Sequence, residues 1–77
     1  MPDWFERTVI YPADDRDREA VRHLQRVFGL AETGEFDPIT RVRTRGFQAL
    51  MGLKPTGHLD KATAEAVETV RSQYSAQ

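Results

Sequence analysis

Apolar residues recur at helical spacing in three stretches of the chain, separated by short polar turns. In the first stretch Ala20, Val21, Leu24, Val27 and Phe28 share one face, which predicts an amphipathic helix over about 15–28. Asp14, Asp15 and Asp17 stand at its start, where aligned peptide dipoles favour negative charge. Gly29 is placed to take the left-handed conformation that closes a helix, and Leu30 can fold back onto the last turn. In the second stretch Ile39, Val42, Gly46, Phe47 and Leu50 mark the expected inner face of a helix over about 38–51. Gly46 costs about 1 kcal/mol relative to Ala in a helix interior, which implies that another backbone passes close to it. The third stretch predicts a helix over about 61–73 that buries Ala66, Val67, Val70 and Tyr74, with Ser72 to Gln77 fraying.

The connections between these helices copy one another. A shift of 23 residues places Gln25 on Gln48, Gly29 on Gly52, Leu30 on Leu53, Thr33 on Thr56, Gly34 on Gly57, Asp37 on Asp60 and Thr40 on Thr63. Leu24/Phe47, Val27/Leu50, Phe28/Met51 and Phe36/Leu59 pair apolar with apolar. Repeats of this length are supersecondary units that bury their faces against one another. Each unit reads as helix, Gly-Leu stop, Thr-Gly turn, apolar plug (Phe36 or Leu59) and Asp cap. Asp37 can accept backbone N–H bonds, and Pro38 occupies the first helical position, where no donor is needed. Seven identities that sort into stops, turns and caps speak to folding before they speak to function.

Residues 1–13 repeat nowhere. Trp4, Phe5, Val9, Ile10 and Tyr11 lie there between Pro2 and Pro12, a pattern that predicts an extended arm. The arm is too apolar for a solvated tail, so it packs either on the body or on a partner. The expected organisation is this arm, a three-helix domain over 14–74 and a frayed tail over 75–77: an all-α, small three-helix bundle built on the 23-residue repeat.

At 77 residues the chain is one domain, and a core of this size supplies only about 3–5 kcal/mol of net stability. It contains no cysteine, so neither a disulfide framework nor a thiolate metal site is available. A net charge of −1 argues against a general nucleic-acid footprint. No apolar run is long enough for membrane insertion. The first residues show no basic region leading into an apolar stretch, so a signal peptide is not expected. Action outside a cell would then require lysis, a holin-type route or incorporation in a particle.

Candidate chemistry is sparse. Gln25 and Gln48 offer sugar-binding amides, but their equivalence in both repeats suits amides that bond loop backbone. Thr40 and Thr63 can reach back to the helix starts, and Asp37 and Asp60 are caps first. His23 and His58 lack partners at metal-ligand spacing, so no metal and no cofactor is expected. No nucleophile has an evident base and the carboxylates cluster only at a helix start, so the chain does not read as an enzyme. Arg18, Arg22 and Arg26 form a stripe that Asp14 and Glu19 can relieve, whereas Arg41 and Arg45 share a side of the second helix without an acid. That pair is either a solvated face or a site for carboxylates. Trp4 and Tyr11 can stack on sugars or anchor a protein interface.

The pattern Val-x-x-Leu-Gln, Gly-Leu, Gly-x-Phe-Asp-x-x-Thr over residues 21–40, echoed by Phe-Gln, Gly-Leu, Thr-Gly-x-Leu-Asp-x-x-Thr over 47–63, resembles the peptidoglycan-binding-like domain family. The resemblance covers about residues 20–70 and implies a three-helix module with a duplicated helix–loop. It further implies a non-catalytic module that holds cell-wall hydrolases on murein, through glycan or stem peptide. The same fold covers the catalytic domain in matrix metalloproteinase propeptides. Two functional expectations follow: a peptidoglycan-binding module of the cell envelope, or a small structural protein of a phage particle that docks on other proteins through the fold and its arm.

Overall fold

A computed structural model describes residues 2–75. Three helices form, α1 Asp15–Phe28, α2 Pro38–Leu50 and α3 Lys61–Ser75. Among the described residues there is no strand, only a single antiparallel bridge between Val9 and Leu59. The protein is thus a small all-helical molecule with three helices. Helix α3 continues past Ser72, where fraying was expected, because no Gly or Pro interrupts Arg71–Ser75. Residues 76 and 77 of the expected frayed tail, and the side chain of Tyr74 expected in the core, lie outside the described residues.

Local chemistry sets each boundary. The Asp14, Asp37 and Asp60 carboxylates accept the backbone N–H groups of Asp17, Thr40 and Thr63 at 2.9, 3.0 and 2.9 Å. Each thereby satisfies a donor that the first turn leaves open. At the stops, Gly29 and Gly52 are left-handed, with φ of 74° and 73°. The next amides, Leu30 and Leu53, return to the carbonyls of Gln25 and Gln48 at 2.8 and 2.7 Å.

The apolar core joins the arm, α1, both loops and α3. Phe5 and Val9 from the arm meet Ala20, Val21 and Leu24 of α1, the plugs Phe36 and Leu59, and Ala64 and Val67 of α3. The arm is therefore part of the body. Val9 exchanges two backbone hydrogen bonds with Leu59, at 2.9 and 3.0 Å, which pins one repeat's plug to the arm.

Helix α2 reverses the expected orientation. Its buried residues are Thr40, Thr44 and Gln48, while Ile39, Val42 and Leu50 are 56, 62 and 82% exposed. At about 100° per residue, Thr40, Thr44 and Gln48 form one stripe, and Val42 falls on the opposite side. Polar burial is tolerated because the groups are bonded: the Thr44 hydroxyl donates to the Thr40 carbonyl at 2.8 Å, and Gln48 is saturated by the following loop. Gly46 is exposed, and a Cβ there would meet nothing within 4 Å. No backbone passes close to it, contrary to expectation. In α3 the fully buried residues are Thr63, Ala64 and Val67; Ala66 and Val70 are half-buried.

Candidate functional site

The two loops are built on buried glutamines. Gln25 Oε1 accepts from the Gly34 amide at 3.0 Å, and its Nε2 lies 3.0 Å from the Thr33 hydroxyl, the Glu35 carbonyl and the Thr40 hydroxyl. Gln48 repeats this with the Gly57 amide at 2.9 Å, the Thr56 hydroxyl at 3.3 Å, the His58 carbonyl at 2.9 Å and the Thr63 hydroxyl at 2.8 Å. A primary amide has two hydrogens, so three acceptors share them. Both glutamines are fully buried, so neither amide meets a ligand from solvent. The Thr63 hydroxyl also donates to Asp60 at 2.6 Å. On Asp37, bonds from the Thr40 hydroxyl and amide hold the carboxyl below its ordinary value of 3.8.

The register of the repeat extends to the arginines. Arg18 and Arg22 fall on Arg41 and Arg45 after the same shift of 23. Each pair lies across its loop glycine: a Cβ on Gly34 would come within 3.2 Å of Arg22 Nε, and one on Gly57 within 3.1 Å of Arg41 Cγ. Both glycines have φ of 78°, so only a residue without a side chain fits under the arginines.

Arg41 is committed to the fold. Its guanidinium donates to the Ile10 carbonyl at 2.7 Å and to the Gly57 carbonyl at 3.4 Å, and sits 4.5 Å from the Phe36 ring centroid. Tyr11, 75% exposed, covers it from outside at 5.1 Å. Arg41 and Tyr11 thus close the end of the arm over α2. Trp4 closes the other end, stacked on His23 at 4.4 Å with its indole N–H donated to Glu68 of α3. The His23 Nε2 is buried without a hydrogen-bond partner, 3.8 Å from Glu68. Burial pushes this imidazole below its ordinary 6.5, and Arg71 adds to the effect against Glu68.

Charge divides the helices. On α1, Arg18 pairs with Asp15 at 2.6 Å, Arg22 with Glu19, and Arg26 with Glu32 at 2.7 Å. Asp14, expected to relieve this stripe, instead pairs with Arg7 at 2.6 Å. The positions of α2 equivalent to Asp15 and Glu19 are Pro38 and Val42, and α2 contains no acid. Arg43 and Arg45 are exposed and form no ion pair among the described residues.

Beside Arg43 runs the feature that the periodicity concealed. Val42, Gly46 and Leu50 line a shallow cleft of about 420 Å³, walled by Phe47 and Phe28, whose rings lie 5.4 Å apart. The buried-Gln motif held the signal: once Gln48 serves the loop, the face of Thr40, Thr44 and Gln48 must be inside. A second open cleft, of about 430 Å³, lies beside the arm between charged groups that include Glu6, Arg16 and Glu19. Among the described residues no three His, Asp or Glu side chains converge as metal ligands, and no helix is long and apolar enough to cross a membrane. Comparison of the chain with known proteins finds no matching family model, no matching curated protein and no matching solved structure.

Proposed function

We propose that the protein is a non-catalytic binding module whose ligand is bacterial cell-wall peptidoglycan. The observation that carries this reading is the duplicated helix–loop with its buried glutamine, the feature on which the resemblance to peptidoglycan-binding-like domains rests. The binding surface belongs beside the second loop, where Arg45 is exposed against Gly57 without an acidic partner among the described residues. A guanidinium there suits the carboxylates of murein stem peptides. The test is sedimentation with insoluble, protein-free murein. Retention that falls at least about tenfold for Arg45→Ala supports the reading, a loss worth about 1.4 kcal/mol. Absence of retention for the wild-type chain refutes it. Arg41→Ala is the wrong probe, since it also releases the arm.

The exposed apolar face of α2 favours a second reading: a structural component of a larger assembly, such as a phage particle, that docks on other proteins. Most of the arm's apolar groups turn inward, leaving Ile10 and Tyr11 exposed, so docking would use α2 before the arm. Detection of the chain in purified virions, with no murein retention, selects this reading.

A further inference from the structure

The two repeats place the same helix face in different surroundings. On α1 the positions Ala20, His23 and Leu24 lie under Trp4 and α3, with Glu68 against His23. Their equivalents after the shift of 23 are Arg43, Gly46 and Phe47 on α2; Phe47 packs against the core and Phe28, but Arg43 and Gly46 are exposed. We propose that this face of α2 is the docking site for an amphipathic helix of another protein, apolar where it meets Val42, Gly46 and Leu50 and acidic where it passes Arg43.

Geometry and charge select that occupant. Val42, Gly46 and Leu50 stand at i, i+4 and i+8, so they form one ridge with a notch in its middle. Gly46 has open space beyond its α-carbon, which lets the side chains of a crossing helix descend between Val42 and Leu50. A Gly in an exposed helix interior otherwise weakens the helix. Phe28 and Phe47 wall one flank of the notch. Arg43 stands on the same side, and α2 offers it no carboxylate, so the partner must supply one. On α1 the equivalent face receives the same combination from within the chain: an aromatic ring from Trp4 and a carboxylate from Glu68 on a packed helix. A second copy of this chain fits less well. An isologous contact of two α2 faces would offer neither Arg43 a carboxylate, since α2 has no acid on either copy. The inference is independent of the murein reading, since the surface differs from the one around Arg45 and Gly57.

The test uses the full chain, isotopically labelled, titrated with a helix-stapled peptide of about 14 residues, long enough to span α2. The peptide carries Leu on one stripe and Glu beside it; its control replaces each Glu with Lys. The acidic peptide is expected to shift the Val42 and Leu50 methyls and the Gly46 amide saturably, and to bind at least about tenfold tighter than the Lys control. Arg43→Glu should reverse that preference, and Leu50→Asp should abolish binding while leaving the helical circular dichroism unchanged. The proposal is overturned if neither peptide shifts these resonances or if both peptides bind equally. It is also overturned if sedimentation equilibrium shows a dimer that Leu50→Asp dissociates, which would assign the face to a second copy.

Discussion

Helices α1 and α2 occupy equivalent places in the repeat, yet they are buried in different ways. Helix α1 is buried over a wide arc that includes Asp17, Ala20, Val21, Leu24 and Gln25. Helix α2 is buried along a narrow polar stripe of Thr40, Thr44 and Gln48, and its aliphatic side chains face outward. What the helices share is the junction to the following loop. What separates them is cover: the arm and α3 close over α1, whereas the Val42, Gly46 and Leu50 face of α2 stays open. The two repeats share the same fastenings, and one helix surface carries no folding duty.

The largest effects should fall on the shared part. Gln25→Ala and Gln48→Ala each strand a buried loop amide and remove the amide's bonds to a loop carbonyl and two threonine hydroxyls, at a cost of about 3 kcal/mol. In a domain held by about 3–5 kcal/mol, either variant should keep only about 0–2 kcal/mol, so its urea midpoint should fall close to zero at room temperature. Near-equal losses sharpen the claim that the loops are equivalent; a tolerated substitution in one loop breaks it.

The next effect separates the helices. Phe5→Ala, which removes the arm's plug over α1, should lose about 3 kcal/mol. Trp4→Ala should lose about 1–2 kcal/mol, and wild-type Trp4 fluorescence should be blue-shifted from that of a solvated indole. A fully solvated emission spectrum would mean that the arm does not cover α1.

A smaller, pH-dependent contrast lies at His23 and its equivalent Gly46. Burial puts the His23 pKa below the ordinary 6.5 in the folded protein, so the unfolded chain binds the proton more readily. Its contribution is present above pH 6.5 and lost as pH falls below that value. Urea midpoints should therefore drop between about pH 7.5 and about pH 5.5, and His23→Phe should flatten that slope. The Asp14 and Asp37 caps act in a lower window, since hydrogen bonds hold both carboxyls below 3.8; their contribution persists until pH falls through that region. Gly46→Ala should raise stability by about 1 kcal/mol at every pH, because the added methyl meets nothing. A loss at Gly46 would show that its surroundings are closed after all.

Most of the fold could be read from the chain because its fastenings are local. Asp14, Asp37 and Asp60 each cap within three residues, and Gly29 and Gly52 stop the helix they follow. The arm's destination depended on long-range packing that periodicity does not encode, although its apolar content already excluded a solvated tail. The inner face of α2 was misread for a physical reason. Hydrophobic spacing assumes that apolar residues go inside, and here a hydrogen-bonded amide outweighed three aliphatic side chains. Arg41 and Arg45 echo Arg18 and Arg22 in position. Only the lost acids, with Pro38 and Val42 in place of Asp15 and Glu19, set the second pair apart.

The most direct test of the comparison is a matched pair of substitutions at the equivalent positions Val27 and Leu50. Val27 of α1 packs against the core, and Leu50 is 82% exposed on α2. Equilibrium urea unfolding of Val27→Asp and Leu50→Asp should show a loss of about 2 kcal/mol for the first and a change within about 0.5 kcal/mol for the second. Equal losses at the two sites would contradict the account, because they would place the α2 face among the contacts that hold the fold.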